Sequence, residues 1–264
     1  MSRDSSHIPR FAGQTEVGLV RSSNQDAIVV DEPEGLWLVA DGMGGHSGGD
    51  QASRLASRII QSAIRDGLDL RASILQAHHA IRAQQLQSAE LAEMGTTVVA
   101  LREHADSFQI AWVGDSRAYL FDRRSGQLEQ LTRDHNLAGL MVQTGALSRA
   151  EAARHPRRHV LTDCLGLHGG QEPRIDLIEG RWRDDQLILL CSDGLNGELS
   201  DQQISDVLAD PAPLEQKVAR LIQMVKAAGA RDNVSVILVR SPLASVAAAE
   251  QLQGWRRWLR RDGH

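Results

Sequence analysis

The sequence predicts an α+β layered fold: a four-layer sandwich of two antiparallel β-sheets packed face to face, with helices on both outer faces. Three observations carry this. Short apolar runs recur along the chain, each bounded by turn residues. Tight Gly/Asp/Ser connections join neighbouring runs, as antiparallel pairing requires. Helical periodicity is concentrated in the first third and again near the end, so helices are available to cover both sheets.

Taken in order, Ala27–Val30, Leu36–Ala40, Thr96–Leu101, Phe108–Val113, Ala118–Phe121, Leu187–Cys191 and Val234–Val239 read as strands. Between the second and third of these, 49–65 and 71–90 read as helices; Ala52, Leu55, Ala56, Ile59, Ile60 and Ala63 share one face. Helices are also expected over 148–154, 201–208 and 213–228, with Ser200 and Pro213 as start signals and Ser148 with Glu151 as a capping box. Gly114-Asp115-Ser116 and Ser125-Gly126 read as hairpin turns. Trp37, Trp112 and Trp182 fall in strand-like segments and belong to the core, whereas His78, His79 and His104 read as surface histidines.

Composition excludes several classes. The chain has 264 residues, 42% hydrophobic and 24% charged, which suits a globular protein and leaves no room for wholesale disorder. A net charge of -5 and 3% aromatics argue against nucleic-acid binding, which needs a basic field and stacking platforms. Of 29 basic residues, 27 are arginine. The longest apolar runs are far shorter than the ~20 residues of a membrane span. The N-terminal MSRDSSHIPRF has no apolar stretch and no small-residue cleavage site, so a cytoplasmic protein is expected. Cys164 and Cys191 sit in apolar contexts and read as buried thiols. The Ala/Ser-rich stretch 241–254 closes the folded unit, and the basic and apolar residues of 254–262 follow it. That tail reads as a solvated or partly docked helix, with contact to an anionic membrane or a partner as the alternative.

The chemistry lies in acids placed at strand ends: Asp26, Asp41, Asp115, Asp193 and Asp232, the last four each beside Gly, Ser or Asn. Any one of them is an ordinary turn residue. Should folding bring them together, their mutual repulsion calls for a divalent cation, and an all-oxygen donor set selects Mg²⁺ or Mn²⁺ over zinc. Two such ions near one another can acidify a water, which suits hydrolysis of a phosphate ester. The chain has no Gly-x-Ser-x-Gly elbow for serine chemistry, and its glycine run 42–49 lacks the lysine of a P-loop.

Six blocks then appear in a telling order: Arg21…Asn24-Gln25-Asp26, Asp41-Gly42-Met43-Gly44-Gly45-His46, Gly95-Thr96-Thr97, Val113-Gly114-Asp115-Ser116-Arg117, Ser192-Asp193-Gly194 and Arg231-Asp232-Asn233. The series resembles the metal-dependent serine/threonine protein phosphatases of type 2C, in their compact bacterial form. The resemblance implies a catalytic domain over about 8–241 with a mobile flap at about 136–160, and a separate tail at 242–264. It implies hydrolysis of phosphoserine and phosphothreonine in proteins by direct attack of a metal-bridging hydroxide, reversing a serine/threonine kinase. By the same resemblance Asp41 bridges two Mn²⁺ or Mg²⁺ ions, the Gly42 carbonyl completes one site, and Asp193 and Asp232 hold the second ion. Asp115 with Asp193 takes a weaker third ion, and Asp26 orients waters behind them. Arg21 grips the substrate phosphate, and His46 is the candidate general acid. Phosphoproteins and a cognate kinase are the implied partners of a monomeric enzyme. One departure stands out: Leu161-Thr162-Asp163-Cys164-Leu165-Gly166 carries an acid where the family commonly has a base.

Overall fold

Continuous apolar runs become the central strands. The computed structural model describes residues 10–44, 48–152, 154–166 and 171–243; the expectations for the N-terminal segment, His46 and most of the tail fall outside them. Eleven strands are described. β1 (Phe11–Glu16), β2 (Asp26–Asp31), β3 (Leu36–Met43), β4 (Gly95–Thr96) and β5 (Val98–His104) precede β6 (Ser107–Val113) and β7 (Arg117–Asp122). β8 (Gln127–Gln130), β9 (Asp176–Arg181), β10 (Gln186–Cys191) and β11 (Val234–Arg240) complete the set. The helices are α1 (Gly48–Arg65), α2 (Leu70–Gln85), α3 (Leu137–Gln143), α4 (Arg149–Ala152), α5 (Asp193–Asn196), α6 (Asp201–Ala209) and α7 (Leu214–Ala228).

The strands form two sheets, one in the order β1-β11-β10-β7-β8 and one in the order β2-β3-β5-β6-β9 with β4 beside β3. The strand pairings described are all antiparallel. Three apolar layers hold the four-layer sandwich together. Between the sheets, Trp37, Val99, Ile110, Trp112, Ile188 and Ile237 interdigitate. α1 and α2 lay Ala52, Ala56, Ile60, Ile74 and Ile81 on the outer face of the second sheet. α5, α6 and α7 lay Leu195, Ile204, Leu208, Leu221 and Val225 on the outer face of the first. The predicted fold class is therefore the observed one. The two-residue alternation of each central strand sends one set of side chains to the inner layer and the other to a helix.

Local signals place the helix starts as expected. Ser200 caps α6, and Gln203 reaches back to complete a capping box. Ser148 and Glu151 exchange bonds at α4, with the Ser148 amide donating to Glu151 at 2.8 Å and the Glu151 amide to Ser148 Oγ at 3.3 Å. Pro213 precedes α7.

Four expectations need correction. Gly114-Asp115-Ser116 is not a hairpin turn: it carries the chain from β6 in one sheet to β7 in the other. The strand expected over 96–101 breaks at Thr97, leaving β4 and β5. The helix expected over 71–90 stops at Gln85, whose side-chain amide donates to the carbonyls of Met94 and Gly166 and anchors the chain as it turns away. His78 is buried, with its Nδ1 accepting from the Gly166 amide at 3.2 Å.

Candidate metal centre and substrate cleft

The sheet topology aligns one end of both sheets. β2 begins there with Asp26, and β3 carries Asp41 close to its end; the two aspartates are direct cross-strand partners. β6 ends and β7 begins around Asp115. β10 runs into Ser192 and Asp193, and β11 starts just after Asp232 and Asn233. Five acids separated by up to about two hundred residues thus share one end of the sandwich.

Two glycines permit this crowding. A Cβ on Gly42 would stand 2.0 Å from the Gly49 carbonyl oxygen, so only glycine lets the start of α1 lie against β3. A Cβ on Gly194 would stand 1.9 Å from the Asn233 carbonyl oxygen, so the segments bearing Asp193 and Asp232 touch backbone to backbone. Asn233 ties the adjoining loops together: its Nδ2 donates to the carbonyls of Val17 and Ser23, and its Oδ1 accepts from the Gln25 amide at 2.8 Å. Thr96 and Thr97 fix Asp41 through its backbone, with the Thr97 amide donating to the Asp41 carbonyl at 2.8 Å and the Thr96 hydroxyl donating to it at 2.9 Å. Arg117 forks onto Asp134 at 2.9 and 2.7 Å and stiffens the loop after Asp115.

The clustered charges feel one another. Burial raises the Asp41 carboxyl well above the usual carboxylate range, and Asp26, Asp193, Asp115 and Asp232 push it further. Asp115 is raised well above its ordinary value by burial first, then by Asp193 and Asp134. Asp26 is raised to about 7 by burial, against the hydroxyls of Ser235 and Ser192, which lower it. Those hydroxyls donate to Asp26 Oδ2 at 2.7 and 2.8 Å, while Asp26 Oδ1 is buried without a hydrogen-bond partner.

The remaining acids face their own partners. Arg21 donates to both carboxylate oxygens of Asp232, at 2.9 and 2.7 Å. His159 Nδ1 lies 3.3 Å from Asp193 Oδ2. Asn136 reaches Asp115 at 3.4 Å. Among the described residues, no three His, Cys, Asp or Glu side chains form a closed metal cage as they stand. The donor set nonetheless suits a hard divalent cation: it is all oxygen, it is anionic in excess, and one buried carboxylate oxygen lacks a partner. His46 lies outside the described residues.

Reading the sequence missed several contributors. Ser192 was seen only as part of a block and Ser235 not at all, though a serine between valines in a buried strand (Val234-Ser235-Val236) is itself a signal. His135 is buried: its Nδ1 accepts from the Gly114 amide at 3.2 Å and its Nε2 faces Asp176 at 3.3 Å. The capping residue of α3 is Asn136. His159, beside Asp193, carries no spacing signal of its own in the sequence.

The family model for protein phosphatase 2C matches residues 20–239. A serine/threonine phosphatase stp of Listeria welshimeri is 33% identical over 243 residues, spanning 87% of this chain and 95% of its own. The solved serine/threonine phosphatase PstP/Ppp of Mycobacterium tuberculosis superposes with a TM-score of 0.79 at 33% identity, covering 89% of this chain and 99% of that one. A PstP catalytic domain solved in complex with two manganese ions matches at a TM-score of 0.76 and 32% identity, covering 88% and 97%. With family, relatives and fold in agreement, the chain belongs to the protein phosphatase 2C family and is a protein phosphatase.

Proposed function

We propose that this protein phosphatase hydrolyses phosphoserine and phosphothreonine in proteins in a reaction that depends on two divalent cations, Mn²⁺ or Mg²⁺, and so reverses a serine/threonine kinase. The observation that carries the reading is the meeting of Asp26, Asp41, Asp115, Asp193 and Asp232 at one end of the sandwich, with a partnerless buried oxygen on Asp26. Asp41, the Gly42 carbonyl, Asp193 and Asp232 would hold the pair of ions, and Asp115 with Asp193 a weaker third. When bound, such ions supply Lewis acidity toward phosphoryl oxygens and a water acidic enough to attack phosphorus near neutral pH.

The protein's own groups do the rest. Asp26, fixed by two serine hydroxyls through one carboxylate oxygen, keeps the other as an unpartnered acceptor and would orient water there. Arg21 offers a planar fork that matches two phosphate oxygens. Its present partner is Asp232, in a pair whose side chains are 52% and 38% exposed, so water weakens the bond and a dianionic phosphate competes well for the guanidinium. His46 closes the Asp41 block and is assigned the proton transfer to the departing oxygen. The catalytic unit spans 8–241, including the flap, and acts as a cytoplasmic monomer on phosphoproteins. No helix among the described residues is long and apolar enough to cross a membrane.

The test is turnover of a phosphothreonine peptide by protein stripped with EDTA and then reloaded. Activity is expected to vanish on stripping and to return with Mn²⁺ or Mg²⁺. Arg21→Ala is expected to raise KM by about tenfold or more, the scale of one lost charge-assisted bidentate contact, while Mn²⁺ still binds by calorimetry. Undiminished turnover after stripping would refute the metal-dependent reading.

A further inference from the structure

A cavity of about 810 Å³ opens directly beside the acid cluster, with Asp115 and Asp193 in its wall. Its other sides are α3 and α4 of the flap region, the loop before α3, and the start of α6. Such a volume accommodates a ligand far larger than a phosphate group. Because Asp115 and Asp193 are part of its wall, it is placed to receive whatever adjoins a group held at the acids.

The charge of its wall narrows the occupant. Five arginines line it, and the guanidiniums of three of them, Arg133, Arg149 and Arg158, make no hydrogen bond or ion pair among the described residues. Arg133 and Arg149 are exposed, and Arg158 is half-buried beside His159. The other charges on the wall are already engaged. Arg117 is held by Asp134 and Arg174 by Asp176. Asp163 accepts from the Arg174 amide at 3.2 Å, and Asp201 from the Tyr119 hydroxyl at 3.3 Å. The excursion 136–160 carries four arginines against one glutamate, in a chain whose net charge is -5. That glutamate, Glu151, is taken by Ser148. A strongly acidic site is thus flanked by cations that no carboxylate holds in an ion pair; Glu198, which feels the charge of Arg158, is itself bound by Arg231.

We propose that this cavity receives the residues flanking the phosphorylated side chain and selects phosphopeptides with acidic flanks, with Arg133, Arg149 and Arg158 as the specificity-determining residues. The inference rests on the phosphatase reading above and adds the substrate class to it. Aspartate or glutamate two or three positions from the phosphoresidue meets an unpaired guanidinium, whereas lysine or arginine there meets like charge.

The experiment measures kcat/KM of the Mn²⁺-loaded full chain on three peptides that share one phosphothreonine and differ in acidic, neutral or basic flanks, with p-nitrophenyl phosphate as the unflanked substrate. Each exposed charge pair contributes a factor of about three, so attraction to the three arginines predicts an acidic-to-basic ratio of at least about thirty, carried mainly by KM. The ratio shrinks severalfold between 50 mM and 500 mM NaCl as screening shortens the reach of the charges. In Arg133→Ala/Arg149→Ala/Arg158→Ala it falls to about threefold or less. In Arg149→Glu alone, at an exposed position on a short helix, it falls by about threefold or more. The ratio is internal to each variant, so a general loss of activity does not move it. A wild-type ratio near one, or a ratio that survives these substitutions, overturns the proposal. Absence of turnover on every peptide and on p-nitrophenyl phosphate overturns the phosphatase reading itself, a separate and recognisable result.

Discussion

Asp41→Asn is expected to lower phosphopeptide kcat/KM by at least about a thousandfold, a loss of about 4 kcal/mol of transition-state stabilisation, and to weaken Mn²⁺ binding in calorimetry. The same substitution is expected to stabilise the metal-free protein at pH 8. The reason is that Asp41 sits among four other acids, and its carboxyl, like those of Asp26 and Asp115, is pushed above the ordinary range. A folded-state pKa above the unfolded one means that the folded chain retains protons the unfolded chain has already lost. The resulting stability is complete below about pH 4 and is lost as pH rises through the raised pKa, about 7 for Asp26. Stripped protein should therefore have a lower Tm at pH 8 than at pH 5.5, and Mn²⁺ should abolish most of that drop by supplying positive charge. Removing one acid at Asp41 should reduce the slope. An Asp41→Asn variant that keeps full activity, or one with an unchanged pH slope, would show that the cluster does not act as a unit.

The second large effect is expected at a residue with no side chain. Gly194→Ala places a methyl group where the Asn233 carbonyl oxygen already stands, with 1.9 Å between them. No flexible side chain is available to yield, so the backbone of α5 or of the loop before β11 must move. The expected cost is about 3 kcal/mol or more in denaturant unfolding, at the upper end of overpacking changes, with an unaltered m-value. The displacement also separates Asp193 from Asp232, so Mn²⁺ affinity and turnover should fall together even below the unfolding transition. Normal stability and normal Mn²⁺ affinity in this variant would contradict the close approach of the two segments.

Much of this was legible in the sequence, and what was not has physical reasons. Leu36–Ala40, Leu187–Cys191 and Val234–Val239 declare themselves because a strand buried on both faces is apolar throughout. β1, β8 and β9 do not, because they lie at sheet edges. β1 reads Phe-Ala-Gly-Gln-Thr-Glu with one residue buried, and β9 keeps Glu179 and Arg181 exposed, so neither shows a strand's apolar face. Gly114-Asp115-Ser116 has the chemistry of a hairpin turn, and no local feature tells whether the next strand folds back into the same sheet or crosses to the facing one. α3 and α5 are too short for periodicity to register. In the site, the acids stand out because aspartate after an apolar run is easily seen. Their partners do not: Arg21 meets Asp232 across 211 positions and Ser235 meets Asp26 across 209, distances at which only the finished fold brings side chains together. Arg133, Arg149 and Arg158 likewise become a set only when the loop before α3, the flap and the acid cluster enclose one cavity.

The central claim is that these scattered aspartates form one centre for a pair of divalent cations. Anomalous diffraction from crystals soaked in Mn²⁺ tests it most directly. Two strong peaks are predicted within bonding distance of Asp41, one of them shared with Asp193 and Asp232, with Arg21 released from Asp232. Peaks elsewhere on the protein, or none while Arg21 stays on Asp232 and His159 beside Asp193, would contradict it.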